Sequence, residues 1–304
     1  MDLHQLRCFV AAAEELHFGK AAHRLEMLPS ALGRYIRLLE DDLGTRLMIR
    51  TTRSVALTDD GSALLKEARN LLAQADGIAL KFRNHGRAQS STIRVGAIDS
   101  AAAGLLPMLL HDFRARCPDV TVELVEDKSI RLLPRLLSGR LDLAFVRPPE
   151  NPDKRLELQL LFHETAVVAM SEHHPLASRK RVAIADLDGQ PLIVPERRAR
   201  PHSHDLTIKL FAEAGLKARV AQVADEKQTI VNLVAAELGV AIVPRWTARM
   251  ATRGVRFVAL KPSGDAEMKR LPLAAAWIAG SRDTVRDEML ATLRAGLGVY
   301  AEKA

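Results

Sequence analysis

The chain has 304 residues, 48% of them hydrophobic and 27% charged, which suits two or three soluble domains and leaves no apolar run near the roughly 18–20 residues of a membrane span. Its net charge of +7 favours a polyanionic partner only weakly, because the first 91 residues hold 13 Lys/Arg against 11 Asp/Glu. The opening MDLHQLRCF lacks the basic and long apolar regions of a secretory signal, and Cys8 and Cys117 lie too far apart for metal spacing, so a cytoplasmic location is expected.

Leu3, Leu6, Phe9, Val10 and Ala13 fall at helical spacing and predict a first amphipathic helix. A short second helix is predicted from Phe18 to about Leu25, with Ala21, Ala22 and Leu25 inward. Pro29 suits the first turn of a third helix, where its missing N–H is no loss, and Ser30 beside it is placed to help cap. That helix runs to about Leu43 on an apolar face of Leu32, Ile36, Leu39 and Leu43, and Gly44 ends it. Two short helices joined by a tight turn, the second carrying Arg34 and Arg37 outward, match a helix-turn-helix, with Arg34 placed to reach guanine O6/N7 or a phosphate. Leu47-Met48-Ile49 and Val55-Ala56-Leu57 read as two strands of a wing around the basic tip Arg50-Thr51-Thr52-Arg53. Arg50 and Arg53 would meet phosphates or the minor groove, and Thr52 would add a phosphate hydrogen bond. Taken singly, each arginine is as well explained by a solvated helix face; the order of the elements favours DNA.

Thr58 is a good N-cap, and Asp59 and Asp60 suit the positive end of a long helix running to about Asn84. Leu64, Leu65, Ala68, Leu71, Leu72, Ala75, Ile78, Ala79 and Phe82 form an apolar stripe along it. So long a stripe packs either on the chain's own core or on a second copy. Gly86-Arg87-Ala88-Gln89-Ser90-Ser91 reads as a hinge.

From Thr92 strands and helices alternate, which predicts an α/β domain with a mainly parallel sheet. Strands are expected at 93–97, 120–125, 141–146, 165–170, 192–194, 218–223, 240–243 and 273–278, and helices at 105–116, 130–138, 203–214, 228–236 and 281–295. Ligands of open α/β sheets bind at the carboxyl ends of strands. Asp99 and Ser100 follow the first strand, Glu126, Lys128 and Ser129 the second, and Arg147 the third. Two readings stand: the serines donate to a ligand carboxylate that Arg147 clamps, or the serines cap helices and Arg147 pairs with Glu150 or Asp153.

The stretch Leu6–Gly61 resembles the DNA-binding domain of LysR-type transcriptional regulators almost throughout. The pieces that carry the likeness are F-V-A-x-A-E, F-x-x-A-A-x-R-L, A-L-x-R-x-I-R-x-L-E-x-x-L-G-x-R-L and R-T-T-R-x-V-x-L-T-x-x-G. At the turn the family usually reads Ser-Gln-Pro-Ala-Leu-Ser-Arg, where this chain reads Leu28-Pro29-Ser30-Ala31-Leu32-Gly33-Arg34. The remainder resembles the family's effector-binding domain through I-R-V-G, L-L-P-M-L-L-x-D-F-R-A-R-x-P-D-V, L-L-x-G-R-L-D-L-A-F, H-H-P-L-A and V-A-A-E-L-G-V-A-I-V-P. The resemblance implies a winged helix-turn-helix (1–58), a linker and dimerisation helix (59–85), a hinge (86–91) and a two-subdomain α/β effector domain of periplasmic-binding-protein type (92–304). Subdomain I would take 92–162 and 268–304, and subdomain II 163–267, with crossings near Phe162 and Lys261–Arg270.

Within the family the chain looks most like regulators that answer to benzoate and muconate. That likeness places Ser100, Ser129, Arg147 and Pro201 at the effector, with Asp99, His202 and Ser203 beside them, and implies an aromatic or dicarboxylic acid. The partners it implies are promoter DNA, a small-molecule effector, RNA polymerase and further copies of the chain, as a homodimer and homotetramer. No membrane, metal or cofactor is expected, and no enzymatic activity: no glycine-rich phosphate loop or hydrolase signature appears, and the pairs His173/His174 and His202/His204 lack further ligands. The alternative is a small-molecule binding protein or sensor answering to a neutral, amino-acid or redox signal.

Overall fold

The computed structural model describes residues 1–25, 27–50, 55–87, 92–250, 253–261 and 271–304, and among these the side chains of residues 50, 73, 76, 77 and 79–87 are outside the description. Thr52, Arg53, most of the expected hinge and the return crossing of the chain therefore lie outside the described residues. The molecule divides into two units, Met1–His85 and Gly86–Ala304.

The first unit opens with α1 (Leu3–Glu15), where Asp2 accepts from the Gln5 amide and Gln5 returns a bond to the Asp2 amide, a reciprocal capping box. Helices α2 (Phe18–Arg24) and α3 (Pro29–Leu43) follow. Leu6, Phe9, Ala21, Leu32, Ile36 and Leu39 are buried together between the three. Strands β1 (Met48–Arg50) and β2 (Val55–Leu57) pair antiparallel, Met48 opposite Leu57. Helix α4 (Asp59–Arg87) is capped by Thr58, whose Oγ1 accepts from the Gly61 amide at 2.9 Å. A Cβ at Gly61 would stand 2.0 Å from the Leu47 carbonyl oxygen, so only glycine lets this helix start so close to the wing. Both readings of the α4 stripe find support. Ala68 and Leu72 are buried in the unit's own core, whereas Leu71 is 41% and Ile78 61% exposed.

The second unit holds two lobes. In the first, β3 (Thr92–Ala97), α5 (Asp99–Ala103), α6 (Leu105–Arg116), β4 (Thr121–Glu126), α7 (Ser129–Leu137), β5 (Leu143–Val146) and β6 (Leu156–Glu164) follow in order. The chain then builds the second lobe from β7 (Ala166–Ser171), β8 (Arg181–Val182), β9 (Leu192–Pro195), α8 (Pro201–Glu213), β10 (Val220–Ala224), α9 (Lys227–Ala235), β11 (Ala241–Pro244) and β12 (Val255–Leu260). It returns with β13 (Leu271–Ile278) and α10 (Thr284–Glu302) to the first lobe.

The expected mainly parallel sheet is corrected to mixed sheets. The first lobe orders its strands β4-β3-β5-β13-β6; β3 runs parallel to β4 and β5, and β13 antiparallel to β5 and β6. The antiparallel pair arises because β6 leaves the lobe and β13 re-enters it. The second lobe orders β11-β7-β12-β8, with β7 antiparallel to both neighbours, beside a parallel β9–β10 pair. Among the described residues two cross the division of cores, and the first is Leu271, which opens β13 yet is buried in the second lobe's core. The second, Trp246, from the turn after β11, is 1% exposed and belongs to the first lobe's core. It packs edge-on to Phe162 and against Gly104, where a Cβ would meet its ring at 1.9 Å.

Candidate functional site

The outer face of α3 is built by its own periodicity. Leu32, Ile36 and Leu39 turn inward, and Pro29, Ser30, Arg34 and Arg37 are exposed. Neither arginine enters an ion pair among the described residues. Pro29 occupies the first turn as expected, but Ser30 does not cap: Leu28 is the N-cap and supplies no side-chain bond. Glu40 was not singled out in the sequence, yet it fixes the geometry. Its carboxylate is 3% exposed and accepts from the amides of Leu47 (2.9 Å) and Met48 (3.1 Å), binding the helix to the first wing strand. The side chain of Arg50, and Thr52 and Arg53 entirely, are outside the described residues.

Between the lobes, the carboxyl ends of β3, β4 and β5 bring Ser100, Ser129 and Arg147 together. Arg147 is nearly buried. Its Nη1 donates to the carbonyls of Leu271 (3.0 Å) and Pro272 (2.9 Å), and its Nη2 to Ser100 Oγ (3.2 Å) and Glu164 Oε2 (2.5 Å). Ser129 Oγ accepts from the Arg147 amide at 2.9 Å. The expected partners Glu150 and Asp153 are not used; the buried counter-ion is Glu164, and Asp153 instead binds Arg155 at 2.7 Å. Nor do the two serines cap: no side-chain cap bond is made at the start of α5 or α7. They hold Arg147.

A second cluster spans the lobes. Asp99, at the start of α5, is met by Lys227 Nζ and, at 2.8 Å, by Arg200 Nη1, both from the second lobe. Its Oδ1 also accepts from the Ser100 amide. Burial acts to raise the Asp99 pKa but is outweighed by Lys227 and then Arg200, which bring it down to about 2. Lys128 pairs with Asp225 and, at 2.8 Å, with Glu226. His202 reaches across to the Pro148 carbonyl (2.8 Å), and burial leads in lowering its pKa. Pro201 stands exposed at the first turn of α8, and Ser203, half-buried, offers its carbonyl to Thr207 Oγ1.

Of the expected ligand residues, Asp99, Ser100, Ser129 and Arg147 thus form one ridge, and His202 touches it from the other lobe. Sequence reasoning gave no role to Lys227, Glu164 or Arg200. One clue existed for Lys227. A cation in the first turn of a helix opposes the helix dipole and needs a compensating anion.

Four cations converge here, namely Lys128, Arg147, Arg200 and Lys227, each paired to protein carboxylates. Such a cleft can bind an anion by exchanging counter-ions and can transmit the exchange to lobe closure. Among the described residues no cluster suits a metal ion, and no helix is long and apolar enough to cross a membrane.

Residues 3–62 match the family described as bacterial regulatory helix-turn-helix protein, lysR family, and residues 86–298 match the LysR substrate binding domain. The chain is 58% identical over 304 residues, all of both chains, to the HTH-type transcriptional regulator TtuA of Agrobacterium vitis. It is similar to the crystal structure of full-length BenM at 30% identity and TM-score 0.59, covering 100% of this chain and 98% of that one. It is also similar to the BenM effector binding domain with its effector benzoate, at 27% identity and TM-score 0.58, over 70% of this chain and 93% of that one.

Proposed function

The chain belongs to the LysR family of bacterial transcriptional regulators, and on that premise we propose that it controls a promoter in response to a small carboxylic acid bound between its two lobes. The DNA-reading surface is the exposed face of α3, with Pro29, Ser30, Arg34 and Arg37, together with Arg50, Thr52 and Arg53 of the wing. Residues 1–58 serve as the DNA-binding domain, 59–85 as the linker and 86–91 as the hinge to the sensing domain. Copies pair through the exposed far end of the α4 stripe, where Ile78 is 61% exposed, and dimers assemble into tetramers. Two half-sites held by one assembly multiply affinity through effective concentration. The acid shifts the balance between lobe arrangements, and with it the DNA bend and the contact with RNA polymerase in the cytoplasm.

The observation that carries the acidic reading is the convergence of Lys128, Arg147, Arg200 and Lys227 at the strand ends. Muconate, benzoate, hydroxylated benzoates, other dicarboxylates and amino acids form the panel for a thermal-shift screen. A true effector at 100 times its dissociation constant adds about 2.7 kcal/mol, several degrees for a domain of this size. A panel in which only amino acids or neutral compounds shift the protein overturns the acidic reading. A redox signal is disfavoured at Cys8, whose thiol burial pushes up to about 11, far from the reactive range.

For the DNA surface, Arg34→Ala is expected to weaken operator binding by about 1–3 kcal/mol without moving the melting transition. Gel-shift titrations over a range of salt check it, and unchanged operator affinity removes Arg34 from the interface.

A further inference from the structure

We propose that Asp99 is a built-in stand-in for the effector, its carboxylate occupying the cation pair Lys227–Arg200 that an incoming acid must take over. This rests on the reading that an acid enters the cleft, and adds which cations receive it and what it displaces.

Three observations carry the proposal. Asp99 belongs to the first lobe, while Lys227 and Arg200 belong to the second, so the contact is a tether between lobes rather than part of either core. Lys227 is buried, and Asp99 is the carboxylate in contact with its ammonium. A cation so placed must keep an anion or give up its charge. Among the described residues the Arg200 side chain has, besides Asp99, the 60% exposed Glu226 and the Asp225 carbonyl.

The fit of Asp99 is incomplete. Its Oδ2 lies 2.8 Å from Arg200 Nη1, yet it is buried without an aligned hydrogen bond. A carboxylate on a one-carbon stem, fixed at a helix start and already bonded to the Ser100 amide, cannot satisfy two cations that arrive from another lobe. A free acid carries no such tether and can align both oxygens. Arg147 contrasts with this pair. Both of its terminal nitrogens are spent on Leu271, Pro272, Ser100 and the fully buried Glu164, so an acid that recruited it would break a buried pair. Recognition of the carboxylate therefore falls to Lys227 and Arg200, and Arg147 positions the ridge.

Exchange has a mechanical consequence. When the ligand takes Lys227 and Arg200, Asp99 is released and the lobes are joined through the acid instead of through the tether. Specificity follows as well, because a neutral ligand would leave Lys227 with no anion and is rejected.

The test is chemical rescue in the full chain. Asp99→Ala removes the carboxylate and leaves room for a small one. Formate and acetate, compared with chloride at matched ionic strength, are expected to raise the melting temperature of Asp99→Ala by several degrees and to leave the wild type unmoved. Adding Lys227→Met to Asp99→Ala is expected to abolish the response. Rescue that persists in the double variant, or that equals the wild-type response, overturns the proposal. Should Asp99→Ala not fold, Asp99→Asn retains the shape. Any acid that shifts the wild type is then expected to bind Asp99→Asn at least about tenfold more tightly, and equal or weaker binding overturns the proposal. The two readings fail separately. Formate rescue with no acid acting on the wild type keeps the exchange site and removes the acidic effector. Acids acting on the wild type with no rescue keep the effector and remove Asp99 as its stand-in.

Discussion

Replacing Glu164 with alanine is expected to destabilise the sensing domain by about 3–5 kcal/mol, because it strands the Arg147 guanidinium in a buried site with no counter-charge. Glu164 is fully buried, and its two oxygens reach Arg147 Nη2 at 2.5 Å and the Trp246 amide at 3.3 Å. The melting temperature of that domain should fall on the order of 10 °C, followed by calorimetry or denaturant titration. The paired change Arg147→Met with Glu164→Leu removes both charges together and is expected to recover most of the loss, as apolar replacements of buried pairs generally do. A single variant that melts with the wild type would mean that Arg147 finds solvent or another anion, and that the pair is not what holds the crossing strands.

Gly104→Ala is the second large effect. The added methyl would stand 1.9 Å from Trp246 Cδ2 and 2.2 Å from its Cγ. The indole cannot retreat, since it is 1% exposed and meets Phe162 edge-on at 5.7 Å between ring centres. Overpacking of this kind costs about 1–3 kcal/mol, and the upper end is expected because the obstruction is a whole ring rather than the end of a flexible chain. Trimming the ring in Gly104→Ala/Trp246→Leu should return part of the stability. Additive losses in the double variant, measured by denaturant unfolding, would show that the two residues do not oppose each other.

The two kinds of site differ in how much of them could be read from the chain. The exposed face of α3 was legible because its residues are close neighbours: the spacing of Leu32, Ile36 and Leu39 dictates that Arg34 and Arg37 face outward, and Pro29 marks the first turn. The cleft was legible only on one side. Ser100, Ser129 and Arg147 follow three strands of a recognisable alternation, but their partners are set by the fold. Arg147 passes over the nearby Glu150 and Asp153 for Glu164, and Asp99 finds Lys227, 128 positions away. The strand β6 was missed because its burial does not alternate; it borders β13 through a register shift between Leu273 and Ala274. Without it the sheet looked mainly parallel, and Glu164 had no recognisable place. Glu40 was hidden for a related reason: the wing amides it satisfies belong to another element.

Glu164 and Leu271 are register partners on neighbouring strands, so the chain leaves the first lobe and comes back to it at adjacent points. Everything from β7 to β12 is in effect cargo inserted at one position of a pre-existing sheet. An insertion with adjoining ends can be lengthened, replaced or recombined between genes without breaking the host sheet, provided it still delivers Trp246 to the host's core. Lys227, Arg200 and His202 all reside in the insert, while Asp99, Ser100, Ser129 and Arg147 reside in the host. Selection for a new signal can therefore act on the inserted half alone, keeping the machinery that reports it to DNA.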